Sequence, residues 1–344
     1  MTKLLIITQT VDENDQLLGF FISWIKLFAK KFEKVSIVCL NEGKNDLPSN
    51  VKVVCLGKSK GVSKPIQLLN FYKYIIGARD EYDAVFVHMN PIWVILGGPS
   101  WHIMGKKIFL WYTHKAVTPK LRLAEKFADV IFTASKESFR LPSKKVIVTG
   151  HGIDTNLFRP SHESRTTNQE PLKILSVGRI APVKNYETLI KASKILKDKN
   201  IDFSVTIIGE APLEKDKAYE QKLRLLINNY QLQNYFNFLG KVINKDLPAH
   251  YQSHDIFIHL SKTGSLDKSI LEAMACGMKV LSSNDSAKSF LAPDMIFDEN
   301  SPSKLAEEIE NIVGYPTDSR LRDYIIDNHN LSNLIEKISN IILK

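Results

Sequence analysis

Two short segments of the sequence hold residue types that could bind a phosphorylated ligand. The first runs from Ser176 to Lys184 and reads S-V-G-R-I-A-P-V-K. Gly178 lets the backbone approach a ligand closely, and the planar guanidinium of Arg179 matches phosphate oxygens. Lys184 adds a point charge at the start of the helix that we expect to follow. Together these groups could form a pyrophosphate site; the alternative is a tight turn that carries two solvated cations.

The second segment covers residues 261–277 and reads S-K-T-G-S-L-D-K-S-I-L-E-A-M-A-C-G. Its small residues end a strand and open a helix, so backbone N–H groups from Gly264 to Asp267 could receive an anionic or hydroxyl-rich ligand. Glu272 follows in that helix among apolar residues, and a buried carboxylate needs hydrogen-bond donors such as ribose hydroxyls. The alternative is that Asp267 caps the helix and Glu272 pairs with a nearby lysine.

Two apolar runs in the first half of the chain end in histidine. They read V-F-V-H-M-N around His88 and L-W-Y-T-H-K around His114. A histidine that closes a parallel strand is expected to point to the edge of the sheet where ligands bind. The alternative for each is a histidine held by hydrogen bonds in the core or at a helix cap.

The elements that must position these residues follow from the hydrophobic pattern. Short runs rich in Val, Ile and Phe alternate with amphipathic segments of helical length, which is typical of parallel strands joined by crossover helices. Strands are predicted at residues 4–8, 35–40, 51–56, 84–88, 107–112, 130–133, 146–149, 174–177, 205–208, 236–239, 256–260 and 279–282. In the second half, helices are predicted at residues 186–197, 219–229, 246–252, 269–275 and 302–312.

One helix of the first half is predicted residue by residue. Its apolar stripe recurs at helical spacing, at Leu17, Phe21, Trp24, Ile25, Phe28 and Phe32. Its basic residues are Lys26, Lys30, Lys31 and Lys34. The apolar segment 66–76 is also flanked by cations, at Lys64, Lys73 and Arg79. Segments that mix cations with apolar residues can rest on an anionic membrane surface, and a solvated basic face is the alternative.

Composition excludes several classes of protein. The chain has 344 residues, of which 44% are hydrophobic and 24% charged, so disordered, collagen-like and disulfide-scaffold proteins are excluded. The three cysteines lack the spacing of a zinc site or a disulfide framework, and we expect a reducing, cytoplasmic location. The longest apolar stretch, residues 91–104, is interrupted and falls short of the ~20 residues that a spanning helix needs.

The alternation of strands and helices pauses between residues 149 and 171, which divides the chain. We predict two doubly wound, Rossmann-like α/β domains at residues 1–150 and 171–344, joined by a linker at 151–170. The last helix is a candidate to return to the first domain. Residues 1–150 hold 22 basic and 12 acidic side chains, a net charge of +10, whereas the remainder is close to neutral. The whole excess of the net charge of +9 therefore lies in the first domain.

The motifs taken together resemble family 4 of the retaining glycosyltransferases. The resemblance rests on the G-R-x4-K segment, the L-E-A-M-A-C-G helix, and G-I-D followed by F-R-P at residues 152–160. It implies the GT-B fold, in which two Rossmann-like domains face each other across a cleft. It also implies transfer of a sugar from a nucleotide-diphosphate sugar, held by the second domain, to a glycan or lipid-linked acceptor at the first, with retention of configuration.

The resemblance also implies roles for individual residues. Arg179 and Lys184 would hold the donor diphosphate and Glu272 the ribose, with His114 near the reacting sugar. The remaining donor-binding residues would be Gly178, Gly240, Val242, Gly264, Ser265, Leu266 and Asp267. His88 and Gly19 are candidates on the acceptor side. His114, Arg179 and Lys184 are the predicted catalytic residues.

One departure from the family pattern bears on activity. Family members commonly carry two glutamates eight positions apart, and the position eight before Glu272 is Gly264. Backbone amides or Asp267 would then contact the donor sugar. A donor-binding protein without activity and a nucleotide-sugar epimerase of the same fold are the alternatives to a transferase.

No cofactor, metal ion or nucleic acid is expected. The sequence contains no D-x-D triplet to clamp a divalent ion on the diphosphate, so Arg179, Lys184 and helix N-termini would have to stabilise the leaving group. The chain is basic, but it lacks a recognised nucleic-acid-binding motif. An anionic membrane surface at the first domain is the further partner that its charge suggests.

Overall fold

The computed structural model describes residues 2–161, 171–261, 265–314 and 318–344. The chain forms two compact units. The first comprises Met1–Asp154, Ile243–Lys245 and Asn328–Lys344, and the second comprises Thr155–Val242 and Asp246–Asp327. Each unit contains one parallel sheet with helices, which confirms the predicted fold class of two parallel-sheet α/β domains.

The first unit has a seven-stranded sheet in the order β3-β2-β1-β4-β5-β6-β7. The strands are β1 Lys3–Val11, β2 Lys34–Glu42, β3 Val51–Cys55, β4 Ala84–His88, β5 Lys107–Trp111, β6 Val130–Thr133 and β7 Val146–Val148. Its helices are α1 Phe21–Ala29, α2 Lys64–Gly77, α3 Pro91–Ile103 and α4 Pro119–Phe127. The strands predicted for this half are all present. The strand order reverses between β1 and β4, which is where ligands bind in such sheets.

Helix α1 is shorter than the sequence predicts. It begins at Phe21, and Leu17 is 67% exposed instead of packing on the sheet. The cause is Asp15, whose Oδ1 accepts two backbone N–H groups at 2.9 and 2.8 Å and so holds this stretch in turns. Lys30 follows the helix and Lys34 opens β2, so the predicted basic side of one long helix is wrong.

The second unit has a five-stranded sheet in the order β10-β9-β8-β11-β12. The strands are β8 Leu172–Val177, β9 Phe203–Ile208, β10 Phe236–Gly240, β11 Ile256–His259 and β12 Lys279–Ser282. The helices are α5 Tyr186–Asp198, α6 Glu214–Asn229, α7 Leu247–Ser253, α8 Lys268–Ala275 and α9 Pro302–Val313, followed by α10 Ser319–His329, which was not predicted. Here the strand order reverses between β8 and β11.

The last helix, α11 Leu331–Ile342, belongs to the first unit. Leu334 lies in the same core cluster as Trp24 of α1. Gly152 packs between them with φ +72°, and an added Cβ would fall 2.5 Å from Leu334 and 2.9 Å from Trp24. Residues 151–153, which the sequence pattern assigns to a linker, are therefore part of the fold of the first unit.

Candidate functional site in the second unit

Three glycines mark the carboxyl ends of β8, β9 and β10. Gly178 follows β8, Gly209 follows β9 and Gly240 ends β10. The N–H of Gly209 donates to the carbonyl oxygen of Gly240 over 2.8 Å. A Cβ added at Gly209 would fall 1.9 Å from the carbonyl oxygen of Gly178, so no side chain fits there. Backbone without side chains thus lies at these strand ends, where a ligand can approach it closely.

Gly209 was missed in the sequence, whereas Gly178 and Gly240 were both predicted. Its φ of +144° and its contact with Gly178 require glycine. Gly240 is needed for its backbone conformation alone, because φ is +67° and an added Cβ would meet no atom within 4 Å. The signal for Gly209 was its position directly after the apolar run 205–208.

Arg179 and Lys184 lie in the turn that follows β8. The side chain of Arg179 is exposed and forms no ion pair with the part of the chain that the structure describes. Lys184 does not open a helix as predicted, because it ends a 3-10 turn and Asn185, with φ +46°, separates it from α5. Its stem lies against Gly178, where an added Cβ would be 3.2 Å from Cε of Lys184.

The ammonium group of Lys184 forms an ion pair with Asp267. The same carboxylate oxygen of Asp267 lies 2.6 Å from Nε2 of His259, the last residue of β11. Asp267 occupies the cap position of α8, but its side chain makes no capping hydrogen bond, so the predicted alternative of a helix cap is wrong. Burial would raise the pKa of Asp267, but the His259 hydrogen bond and the Lys184 charge outweigh it and hold that pKa well below its usual range.

Glu272 is buried in α8 and pairs with a tyrosine rather than with a lysine. The hydroxyl of Tyr251 in α7 donates to Oε2 of Glu272 over 3.1 Å. Burial raises the pKa of Glu272, opposed by the charge of Lys268 and by the Tyr251 hydrogen bond. Among the residues that the structure describes, no lysine forms an ion pair with Glu272, so the alternative of such a pair is wrong there. Tyr251 was not predicted as a partner of Glu272, because nothing in the sequence around it indicates that the helix before β11 packs its hydroxyl against α8.

Three of the other predicted donor-binding residues, Ser265, Leu266 and Val242, lie in the described part of the second unit. Gly264 lies outside the described residues. The carbonyl oxygen of Ser265 accepts a hydrogen bond from Nδ2 of Asn284 over 3.1 Å. Leu266 is buried. Val242 is half-buried and is the last residue of the segment Thr155–Val242 of the second unit. The structure thus brings Gly178, Lys184 and Asp267 together at the reversal of strand order.

The predicted catalytic residue His114 and the acceptor-side candidates His88 and Gly19 lie in the first unit and differ in exposure. His114 is exposed beyond β5, and its Nδ1 accepts the backbone N–H of Ala116 over 3.1 Å. His88 does not point to open space, so that prediction is wrong: it is 2% exposed and stacks on Phe21 with ring centroids 4.1 Å apart. Gly19 is buried before α1, and an added Cβ would fall 2.6 Å from the carbonyl oxygen of Asp15.

Within residues 2–161, 171–261, 265–314 and 318–344, no three His, Cys, Asp or Glu side chains are grouped so that they could hold a metal ion. Over the same ranges, no helix combines the length and the apolar character needed to span a bilayer.

Comparison with known proteins places the chain in a family. The model of the family described as glycosyl transferases group 1 matches residues 158–331, just over half of the chain. The putative colanic acid biosynthesis glycosyltransferase WcaL of Escherichia coli is 30% identical over 147 residues, which are 41% of this chain and 34% of that protein. The 2-deoxystreptamine N-acetyl-D-glucosaminyltransferase of Niallia circulans is 22% identical over 246 residues, 62% of each protein. The chain thus spans only about a third of the first relative's length.

Solved structures agree over the whole chain. The crystal structure of Anabaena Alr3699/HepE in complex with UDP and glucose has a TM-score of 0.78 at 17% identity and covers 99% of both chains. A glycosyltransferase from Rickettsia africae has a TM-score of 0.75 at 18% identity, with the same coverage. These similarities confirm the fold as GT-B. Because its family model covers half of the chain, the protein belongs to the glycosyl transferases group 1 family.

Proposed function

We propose that this protein is a glycosyltransferase that moves a sugar from a nucleotide-diphosphate sugar to a hydroxyl of a glycan or lipid-linked acceptor. The observation that carries the proposal is the convergence of Gly178, Gly209 and Lys184 where the strand order reverses, with Arg179 exposed beside them. Bare backbone and two cations suit a diphosphate. The names of the relatives, which include WcaL and an N-acetylglucosaminyltransferase, support the same reaction class.

In this proposal, the protein stabilises the leaving nucleoside diphosphate by its own charges. The bond between the anomeric carbon and the diphosphate oxygen breaks as the acceptor hydroxyl attacks the anomeric carbon from the same face, which retains the configuration. The hydroxyl proton passes to the departing diphosphate oxygen. Negative charge then develops on the diphosphate, and each contact with Arg179 or Lys184 stabilises it by about 1.5–3 kcal/mol. We therefore expect turnover that needs no divalent metal ion.

Other residues are assigned by their chemistry. Glu272 accepts from Tyr251 at one oxygen, and its carboxylate would also accept from the ribose hydroxyls. Because Nδ1 of His114 accepts the backbone N–H of Ala116, Nε2 is the ring nitrogen that would donate a hydrogen bond to a sugar hydroxyl. UDP-sugars are the first donors to test, since the similar Anabaena structure holds UDP and glucose.

A thermal-shift screen with UDP-, GDP- and ADP-sugars, followed by mass spectrometry of the product, tests the proposal. NMR of the product gives its anomeric configuration, and turnover with and without EDTA tests the metal requirement. Lys184→Ala should abolish turnover while the protein stays folded, and exposed Lys217→Ala is the control. Binding without turnover would instead assign the chain as a donor-binding protein, and unchanged turnover of the Lys184 variant would contradict the assignment.

We also propose that helix α2 docks on an anionic membrane surface. Its residues Ile66, Leu69 and Ile76 are 52%, 67% and 47% exposed and form one stripe with Lys73. Lys64 at the helix start adds a second cation, and each basic residue near such a surface contributes about 1 kcal/mol.

Vesicle flotation tests the docking of α2. The protein should float with phosphatidylglycerol vesicles at low salt but not with phosphatidylcholine vesicles. Leu69→Glu should abolish flotation, whereas Leu123→Glu, which changes an exposed leucine of α4, should not. Equal flotation of both variants and the wild type would contradict the role of α2.

A further inference from the structure

His259 is the innermost of three side chains that meet at one carboxylate oxygen. Its side chain is 2% exposed, compared with 16% for Lys184 and 27% for Asp267. The three residues come from separate parts of the second unit, at the end of β11, after β8 and before α8. A ligand at the strand ends can reach Lys184 or Asp267, whereas His259 can act on it only through Asp267.

The hydrogen bond defines what His259 does. An ionised carboxylate only accepts, so Nε2 of His259 carries the proton and donates it to Asp267 over 2.6 Å. Nδ1 of His259 is buried without a hydrogen-bond partner among the residues that the structure describes. Burial lowers the pKa of His259, and the charge of Lys184 lowers it further. The hydrogen bond to Asp267 raises this pKa and so opposes both effects. Burial raises the pKa of Tyr186, and the charge of Asp267 also raises it.

We propose that His259 is a positioning residue that holds Asp267 in place while the ammonium of Lys184 exchanges between Asp267 and the donor diphosphate. The proposal rests on the function proposed above, in which Lys184 binds that diphosphate. While paired with Asp267, Lys184 is already ordered beside Gly178, so donor binding does not have to order it. When Lys184 turns to the diphosphate, the part-buried carboxylate of Asp267 would keep no side-chain donor among the described residues if His259 were absent.

Replacement of the imidazole tests this role. His259→Leu removes the donor at similar volume, and His259→Gln keeps an N–H that can reach Asp267. The matched control is His254→Leu, because His254 precedes β11 at its other end and its Nε2 lies 2.9 Å from Thr206 Oγ1. Titration calorimetry with UDP, GDP and ADP measures nucleotide affinity for each variant, and steady-state kinetics separates the donor KM from the acceptor KM.

We expect His259→Leu to weaken nucleotide binding at least about tenfold and to raise the donor KM but not the acceptor KM. His259→Gln should recover binding to within about threefold of the wild type. The control should bind like the wild type. If Lys184→Ala loses binding while His259→Leu binds normally, the role of His259 is wrong and the proposed function stands. If the wild type binds no nucleoside diphosphate, both fail.

A measurement on the wild-type protein tests the proposed role of His259 even if His259→Leu does not fold. Long-range proton–nitrogen NMR of the histidine side chains reports which ring nitrogen carries the proton. His259 should show the neutral ring with the proton on Nε2, and this N–H should persist when UDP is added. A proton on Nδ1, or loss of the Nε2 signal with UDP, would overturn the proposal.

Discussion

The hydroxyl of Tyr251 donates to Oε2 of Glu272 over 3.1 Å, and both side chains are buried. The two residues lie on α7 and α8, on opposite sides of β11 in the sequence. Burial raises the pKa of Glu272, because a carboxylate is less stable away from water, and Tyr251 supplies a hydrogen bond that partly offsets this cost. Tyr251 therefore helps Glu272 to remain a hydrogen-bond acceptor in the protein interior.

The first prediction concerns Tyr251→Phe. Without the hydroxyl, the pKa of Glu272 in the folded protein rises further above its value in the unfolded chain. The variant therefore loses more stability, relative to the wild type, as the pH rises through the pKa of Glu272 and the carboxyl group ionises. We expect the free energy of unfolding to fall by about 1–3 kcal/mol at about pH 8 and by less at about pH 5. Urea unfolding at both pH values measures this.

Tyr82→Phe is the control for Tyr251→Phe. The buried Tyr82 hydroxyl donates to the carbonyl oxygen of Ile75 over 2.7 Å, so its loss involves no carboxylate. Its stability loss should be the same at both pH values. An equally flat response of Tyr251→Phe would show that Tyr251 does not influence the charge of Glu272.

The second prediction compares two glycines at the strand ends. Gly209→Ala should lower the free energy of unfolding by about 3 kcal/mol or more, because its Cβ would fall 1.9 Å from the Gly178 carbonyl oxygen. Gly240→Ala should cost only about 1–2 kcal/mol, the ordinary cost of a left-handed residue, since no atom lies within 4 Å of the added Cβ. Urea unfolding of the two variants gives both values, and equal losses would contradict the close contact.

The third prediction concerns acid stability of the first unit. Nδ1 of His329 accepts the backbone N–H of His151 over 3.2 Å, and burial lowers the pKa of His329 to about 4. The unfolded chain binds a proton here at a higher pH than the folded protein does. Stability should therefore fall by on the order of 3 kcal/mol as the pH drops from about 6.5 to about 4.

Two variants check the contribution of His329. His329→Gln keeps an acceptor for the N–H of His151 but does not titrate, so unfolding should depend less on pH in this range. His102→Gln replaces an exposed histidine and should leave the dependence unchanged. The same pH dependence in His329→Gln as in the wild type would exclude His329 as the source.

The fourth prediction separates His88, which ends β4, from His114, which lies three residues beyond β5. His88→Phe should retain stacking on Phe21 and keep turnover within about threefold of the wild type, because its ring is buried in an aromatic cluster. His114→Ala should leave the melting temperature unchanged, since the side chain is exposed, but lower turnover by about tenfold or more. Kinetics with paired melting curves measures both, and the reverse result would move the catalytic role from His114 to His88.

Local pattern predicted the sheets well. The strands are apolar runs bounded by turn residues, as at Ala84–His88. Such runs form strands whichever neighbouring strand they pair with in the sheet. The pattern was less informative where a polar side chain competes with the helix. Leu17 has helical spacing, but the Asp15 side chain accepts hydrogen bonds from the backbone N–H groups that precede α1 and so keeps that stretch out of the helix. The hydrophobic periodicity of the sequence is the same with or without these hydrogen bonds, so it does not reveal them.

The sequence by itself determined the two sheets, the family motifs, Gly178 and Arg179 directly after β8, and Glu272 within the helix that follows β11. The tertiary structure alone decided which charges meet. Lys184 and Asp267 are 83 residues apart, and His259 closes a third segment of the unit. Parallel strands bring their carboxyl ends to one edge whatever their separation in the chain, so no spacing in the sequence records this contact.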